Sequence, residues 1–249
     1  MNYIVFDLEF NQSSETFERK DNKPALTFEI IQIGAIKLDK KLETIDTLNS
    51  FIKPEVYTSI NPYVEKITGI SLDSLINAQT FKDVFHDFIN FCDKDSILCV
   101  WGLSDIKELY RNILYHNLDV SLIPKLYINI QKHTCSYFNF KKGINIGLAS
   151  ATEILNIKVI DKFHDAFNDA LYTSEVFKKI YSKDIVPKKY IFNKVATRTL
   201  SQRSKLDTIA LFKQFEKMFS RELSSEEKSM IELAYKMGKT NQFQINKAD

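Results

Sequence analysis

Three cysteines are too few and too scattered to build a disulfide framework. Cys92, Cys99 and Cys135 show neither paired nor Cys-x-x-Cys spacing, so reduced thiols of an intracellular, cytoplasmic protein are expected. No apolar run approaches the length of a membrane span, and no membrane partner is expected. The amino-terminal apolar stretch is broken by Asp7 and lacks a basic flank, so it does not read as a signal peptide. No repeat or low-complexity segment is evident. Nor is there a strong net charge, the formal sum being +2.

That near-neutral sum hides an asymmetry. Residues 1–186 carry 21 Lys and Arg against 25 Asp and Glu, whereas residues 187–249 carry 13 against 7. Pro187 with Lys188-Lys189 marks the change, and a domain boundary is placed there: 1–186 as the main domain, 187–249 as a basic helical extension. A basic segment favours phosphate backbones through counterion release, although a solvated helical face is the ordinary reading of such an excess. The 249 residues, 44% of them hydrophobic, suffice for one sizeable core plus an appendage.

Periodicity gives an α/β reading. Strands are expected near 2–10, 29–38 and 48–53 as a meander, with a polar loop over 13–24. Phe81, Val84, Phe85, Phe88 and Phe91 recur at helical spacing and define a helix over 79–92. A buried strand at 96–101, a helix at 104–116 and a strand near 126–130 follow. Alternation of this kind after a hairpin implies a mixed sheet with helices against its faces. In the extension, Ile209, Phe212, Phe215 and Phe219 form a stripe over about 205–219. Ser224-Ser225-Glu226-Glu227 reads as a capping box opening a second helix that stops at Gly238, with Met230, Ile231, Ala234 and Met237 facing a core or a partner. Residues 205–238 are thus a candidate surface for a protein partner or a homodimer.

Five polar residues stand out against this frame. Strand side chains alternate, so Val5, Asp7 and Glu9 share one face of the first strand while Ile4, Phe6, Leu8 and Phe10 share the other. Two adjacent carboxylates repel unless a cation intervenes. Asp105 follows the strand at 96–101, at a strand-to-helix junction where an N-cap is the usual role and where α/β sheets also place functional groups. His164-Asp165-Ala166-Phe167-Asn168-Asp169 opens a helix running to about Tyr181, with Asp165 as its cap. Residues five apart on a regular helix lie about 140° from each other. His164 and Asp169 therefore converge only if His164 precedes the first turn. Oxygen donors of this kind suit hard divalent cations, and a pair of such ions serves phosphodiester hydrolysis.

Each piece alone is ordinary. Together and in this order, Asp7-x-Glu9, Asp105 and His164-x₄-Asp169 resemble the DEDD-type 3′–5′ exonucleases, in the subclass marked by histidine. Glu29-Ile30-Ile31-Gln32-Ile33-Gly34-Ala35-Ile36, Thr68-Gly69-Ile70 and Gly147-Leu148-Ala149 through Leu155 resemble supporting stretches of that family. The match covers about residues 1–182. Trp101-Gly102-x-x-Asp105 and Asp7-Leu8-Glu9-Phe10-Asn11-Gln12 look closest to the branch that trims RNA 3′ ends.

The resemblance implies a ribonuclease-H-like fold and two divalent cations, Mg²⁺ or Mn²⁺. Asp7 would bridge both ions, Glu9 and Asp169 would complete the first site, and Asp105 would hold the second. His164 would be the general base. Leu8, Phe10 and Asn11 would contact the terminal nucleotide, Phe10 by stacking on a base or, equally, by packing into the core. The expected partner is the 3′ end of a single strand, RNA more than DNA. A DNA proofreading or repair nuclease and a non-catalytic nucleic-acid-binding regulator are the alternatives.

Overall fold

The structure is a computed structural model that describes residues 1–12, 26–141, 143–192 and 208–239. Three strands open the chain: β1 (Tyr3–Asn11), β2 (Glu29–Leu38) and β3 (Thr44–Phe51). Helices α1 (Pro62–Thr68), α2 (Leu72–Leu75) and α3 (Phe81–Phe91) lead to β4 (Ile97–Val100) and α4 (Ser104–Tyr115). Then come β5 (Leu126–Asn129), α5 (Ile130–Tyr137), α6 (Leu148–Ile154), α7 (Ala166–Ile180) and the two-residue β6 (Lys188–Lys189). The chain closes on α8 (Thr208–Phe219) and α9 (Ser225–Lys239). The loop expected over 13–24 lies outside the described residues.

The six strands form one sheet in the order β3-β2-β1-β4-β5-β6. β1 pairs antiparallel with β2 and parallel with β4, so the carboxyl ends of β1 and β4 lie side by side. That is where a mixed sheet presents groups to a ligand. β3 begins at Thr44 rather than near 48, because its solvent-facing half is polar and carries no apolar signal.

Alternation along β1 divides the core in two. Ile4, Phe6 and Leu8 join Ile33, Ala35, Leu98 and Val100 under the phenylalanines of α3 and the apolar stripe of α4. Tyr3 and Val5 join Ile36, Leu38, Ile97 and Cys99 under α7, α6 and α5. Burying side chains of the size of Phe85 and Phe88 stabilises by about 1.5–3 kcal/mol each, which is why α3 follows its stripe so faithfully. A register shift between Glu9 and Phe10 on β1 leaves Ile31 of β2 without a direct partner. Ile31 instead enters a small cluster with Ile60, Val64, Ile70 and Leu75 beneath α1 and α2.

Two compact units are present, residues 1–192 and 193–249. The first extends past the boundary placed at Pro187, because Lys188 and Lys189 pair with Tyr127 and Leu126 and because Tyr190 and Phe192 pack on Tyr110. In the second unit the expected capping box is present: Ser224 Oγ accepts from Glu227 N–H, and a Glu227 carboxylate oxygen accepts from Ser224 N–H. Arg221 grips the same carboxylate with both terminal nitrogens. Helix α9 runs through Gly238 to Lys239. Met230 and Ala234 are exposed rather than turned to a core, and the side chain of Met237 lies outside the described residues.

Candidate active site

Three elements bring the acidic residues together. β1 supplies Asp7 and Glu9 on the face that packs α7, at the end of an otherwise apolar strand. α4 supplies Asp105, only 5% exposed. Asp105 is not the cap of that helix: Leu103 holds the cap position and makes no side-chain hydrogen bond. Asp105 is instead the second residue of the helix, and its carboxylate, hydrogen-bonded to its own N–H and to the Ser104 hydroxyl, lies beside its acidic neighbours.

α7 supplies the remaining pair. Asp165 is its N-cap, accepting from the N–H groups of Phe167 and Asn168 at 3.1 and 3.0 Å. His164 lies just before the cap with φ of +64°, in the left-handed region that a branched or bulky residue adopts only when its surroundings impose it. Its N–H donates to Asp169 Oδ2 at 3.2 Å, bending the loop back over the first turn. The donor atoms of Glu9, His164 and Asp169 consequently lie within 4.8 Å of one another.

Electrostatics records the crowding. Burial, then Asp105, Asp169 and Glu9 in turn, pushes the Asp7 carboxyl well above the usual range. Burial followed by Asp169, Asp165 and Asp105 pushes Glu9 up to about 8, with Lys162 opposing. Burial is also the main cause for Asp105, raised to about 7, and for Asp169, raised to about 6. Four neighbouring carboxylates, each resisting ionisation through burial and three of them also through one another, are the arrangement that a divalent cation relieves.

The donor set fits such ions. Among the described residues, Asp169 Oδ1 is buried without a hydrogen-bond partner, although its sister oxygen accepts from His164. A buried carboxylate oxygen left bare costs about 1–3 kcal/mol or more unless a partner arrives. All four carboxylates offer hard oxygen, which suits Mg²⁺ or Mn²⁺.

The nucleotide-contact expectations fare differently. Leu8 is packed inside the core with Phe6 and Ile33, so only its backbone is left for a ligand. Asn11 is buried, donating to the Ser59 carbonyl at 2.9 Å and accepting from Asn61 N–H at 3.0 Å. Its amide holds the loop at Ser59 and Asn61. Phe10 is half-buried, its ring 6.0 Å from that of Phe28.

Sequence reasoning missed three neighbours. Gln32 on β2 bonds the start of α7. Lys162 donates to the Thr68 carbonyl beside Glu9. Glu108, one turn after Asp105 and equally buried, pairs one oxygen with Arg111 at 2.6 Å and adds to the negative field on Asp105. A polar residue inside an apolar strand, as Gln32 is, was the one available signal.

The mixed sheet with acidic groups gathered at the carboxyl ends of β1 and β4 defines a ribonuclease-H-like fold. Residues 4–177 match the exonuclease family represented by RNase T, and the chain belongs to that family. It is 29% identical over 132 residues to human 3′-5′ exoribonuclease 1, a stretch that covers 49% of this chain and 36% of that protein. The chain thus matches about a third of that curated relative's length. Among solved structures, the nuclease domain of 3′hExo, described as a DEDDh family member bound to rAMP, superposes with a TM-score of 0.63 at 20% identity, covering 77% of this chain and 97% of that one. Escherichia coli exonuclease I with a dA16 oligonucleotide gives 0.54 at 19% identity, covering 71% of this chain and 40% of that one.

Proposed function

We propose that this exonuclease removes nucleotides one at a time from the 3′ end of single-stranded nucleic acid, RNA in preference to DNA, using two divalent cations. The observation that carries the reading is the convergence of Asp7, Glu9, Asp105 and Asp169, with the His164 imidazole against Glu9 and Asp169. The preference for RNA is supported by the curated relative, an exoribonuclease. DNA is the second reading, supported by the likeness to a fold relative solved with a DNA oligonucleotide.

Asp7, Glu9 and Asp169 would hold one Mg²⁺ or Mn²⁺, with Asp7 shared and Asp105 holding the second. When bound, the ions supply the positive charge that stabilises the attacking and departing oxygens. His164 is exposed beside Glu9 and Asp169, where an imidazole can serve as the general base. It takes the proton of the attacking water and returns it to solvent. Lys162 offsets the charge of Glu9 while anchored on the carboxyl end of α1. Phe10 offers a half-exposed ring for a terminal base, and the backbone at Leu8 lies beside it. The product is a nucleoside 5′-monophosphate. The basic 187–249 segment adds attraction for the phosphate backbone, and residues 205–238 are proposed as its partner or dimer surface. A cytoplasmic location goes with the three free thiols.

The test is a comparison of 5′-labelled single-stranded RNA and DNA of equal length with Mg²⁺, beside an Asp7→Ala control. Stepwise shortening of RNA supports the reading, shortening of DNA alone selects the second, and no shortening of either rejects both. Activity that survives in the control indicts a contaminant.

A further inference from the structure

We propose that Gln32 is a positioning residue whose buried amide locks the start of α7, and with it His164 and Asp169, at the working distance from Asp7 and Glu9. The inference rests on the exonuclease reading above and names the device that holds its two halves together.

Gln32 is the direct partner of Glu9 across the β1–β2 ladder, just as Gly34 is the partner of Asp7. Both lie on the face that carries α7. Gln32 is fully buried, in a stretch whose other members include Ile30, Ile31 and Ile33. An amide in such a place must find partners for its oxygen and both its hydrogens. It finds all three. Its oxygen accepts from Ala166 N–H at 3.1 Å, and its nitrogen donates to Asp165 Oδ2 and Asn49 Oδ1, each at 3.0 Å.

Asp165 is therefore a bridge. One of its oxygens caps α7 and the other docks the helix onto β2. The residue before it is His164, and the first turn closes where Asp169 N–H donates to the Asp165 carbonyl at 2.9 Å. A displacement of Asp165 moves both the base and the last carboxylate relative to Asp7 and Glu9. The direction of the hydrogen bonds sets the residue type. An apolar side chain of this length would hold neither partner, and a carboxylate would accept from Ala166 while repelling Asp165. Only an amide does both.

Gln32→Glu keeps the length and the acceptor but sets one carboxylate against another. Adding Asp165→Asn reverses the lost bond: the introduced amide donates to the introduced carboxylate, and its oxygen keeps the cap. For Gln32→Glu, calorimetric Mn²⁺ affinity and kcat on a 5′-labelled oligoribonucleotide should each fall at least about tenfold, with KM changed less than about twofold. The paired change should return both to within about threefold of the unsubstituted protein.

Unchanged Mn²⁺ affinity and kcat in Gln32→Glu would overturn the proposal. So would a loss that the paired change fails to restore although both variants melt like the unsubstituted chain. Should Gln32→Glu not fold, Asp165→Asn alone takes its place, since it keeps the cap oxygen and opposes amide to amide. A loss relieved by adding Gln32→Glu supports the proposal, and no loss overturns it. Mn²⁺ affinity is read without substrate. An unsubstituted protein that binds Mn²⁺ yet shortens no oligonucleotide defeats the exonuclease reading, while the role of Gln32 is still judged by metal affinity.

Discussion

The backbone of Ala166 lies so close to Gly34 that no β-carbon fits between them. Gly34 stands opposite Asp7 in the sheet, so its missing side chain is what allows the first turn of α7 to descend onto the sheet beside Asp7 and Glu9. The obstacle would be main chain of Ala166 and Phe167, which cannot swing aside as a side-chain tip can. Gly34→Ala should therefore cost at least about 3 kcal/mol of stability, the upper range for overpacking, and weaken Mn²⁺ binding. Urea denaturation together with a Mn²⁺ titration checks both. An alanine variant as stable as the parent would show that α7 approaches the sheet less closely than described.

Stability in the absence of metal should fall as pH rises. Glu9, Asp105 and Asp169 have folded pKa values of about 8, 7 and 6, above their ordinary values of 4.5, 3.8 and 3.8. Between the ordinary and the raised values the folded chain holds protons that the unfolded chain has released, so each unit of pH increase there favours unfolding. Thermal melts in chelator should show Tm dropping from about pH 5 to pH 8, with added Mg²⁺ raising Tm more at pH 8 than at pH 5. Glu9→Gln should raise the metal-free Tm at pH 8 by a few degrees, about 2–4 °C per kcal/mol for a domain of this size, while abolishing hydrolysis. A metal-free protein that gains stability across this window would contradict the crowding of the four carboxylates.

Asn11 separates a structural clamp from a nucleotide contact. Removing its amide leaves Asn61 N–H and the Ser59 carbonyl without their partner, at a cost of about 1–3 kcal/mol. Asn11→Ala should lower the urea midpoint and leave KM for a short oligoribonucleotide within about twofold. A raised KM at unchanged stability would return Asn11 to the substrate.

Much of this was readable in the chain because periodicity carries over long distances. The alternation of Tyr3 through Phe10 set the faces of β1, the five apolar positions of α3 set its buried side, and Asp165 announced the start of α7. Asp105 was harder. Cap and second helical residue differ by two positions, and sequence favours the cap for an aspartate. Gln32 and Lys162 act through contacts with residues distant in the chain, and spacing has no signal for those. Glu108 acts locally on Asp105 and Arg111, but its burial is not marked by its spacing. Asn11 follows a strong motif by two residues, so proximity in sequence suggested a ligand where the fold has a loop to hold. Lys188 and Lys189 form an edge strand too short and too charged to read as one.

The central claim is that β1, α4 and α7 build one cradle for a cation pair. Calorimetric titration of Mn²⁺ into the metal-free protein and its Asp105→Asn variant tests it without any substrate. Two ions should bind the parent chain, and the substitution should remove or weaken one of them by at least about tenfold. A parent that binds no Mn²⁺, or a variant whose binding matches the parent's, would contradict it.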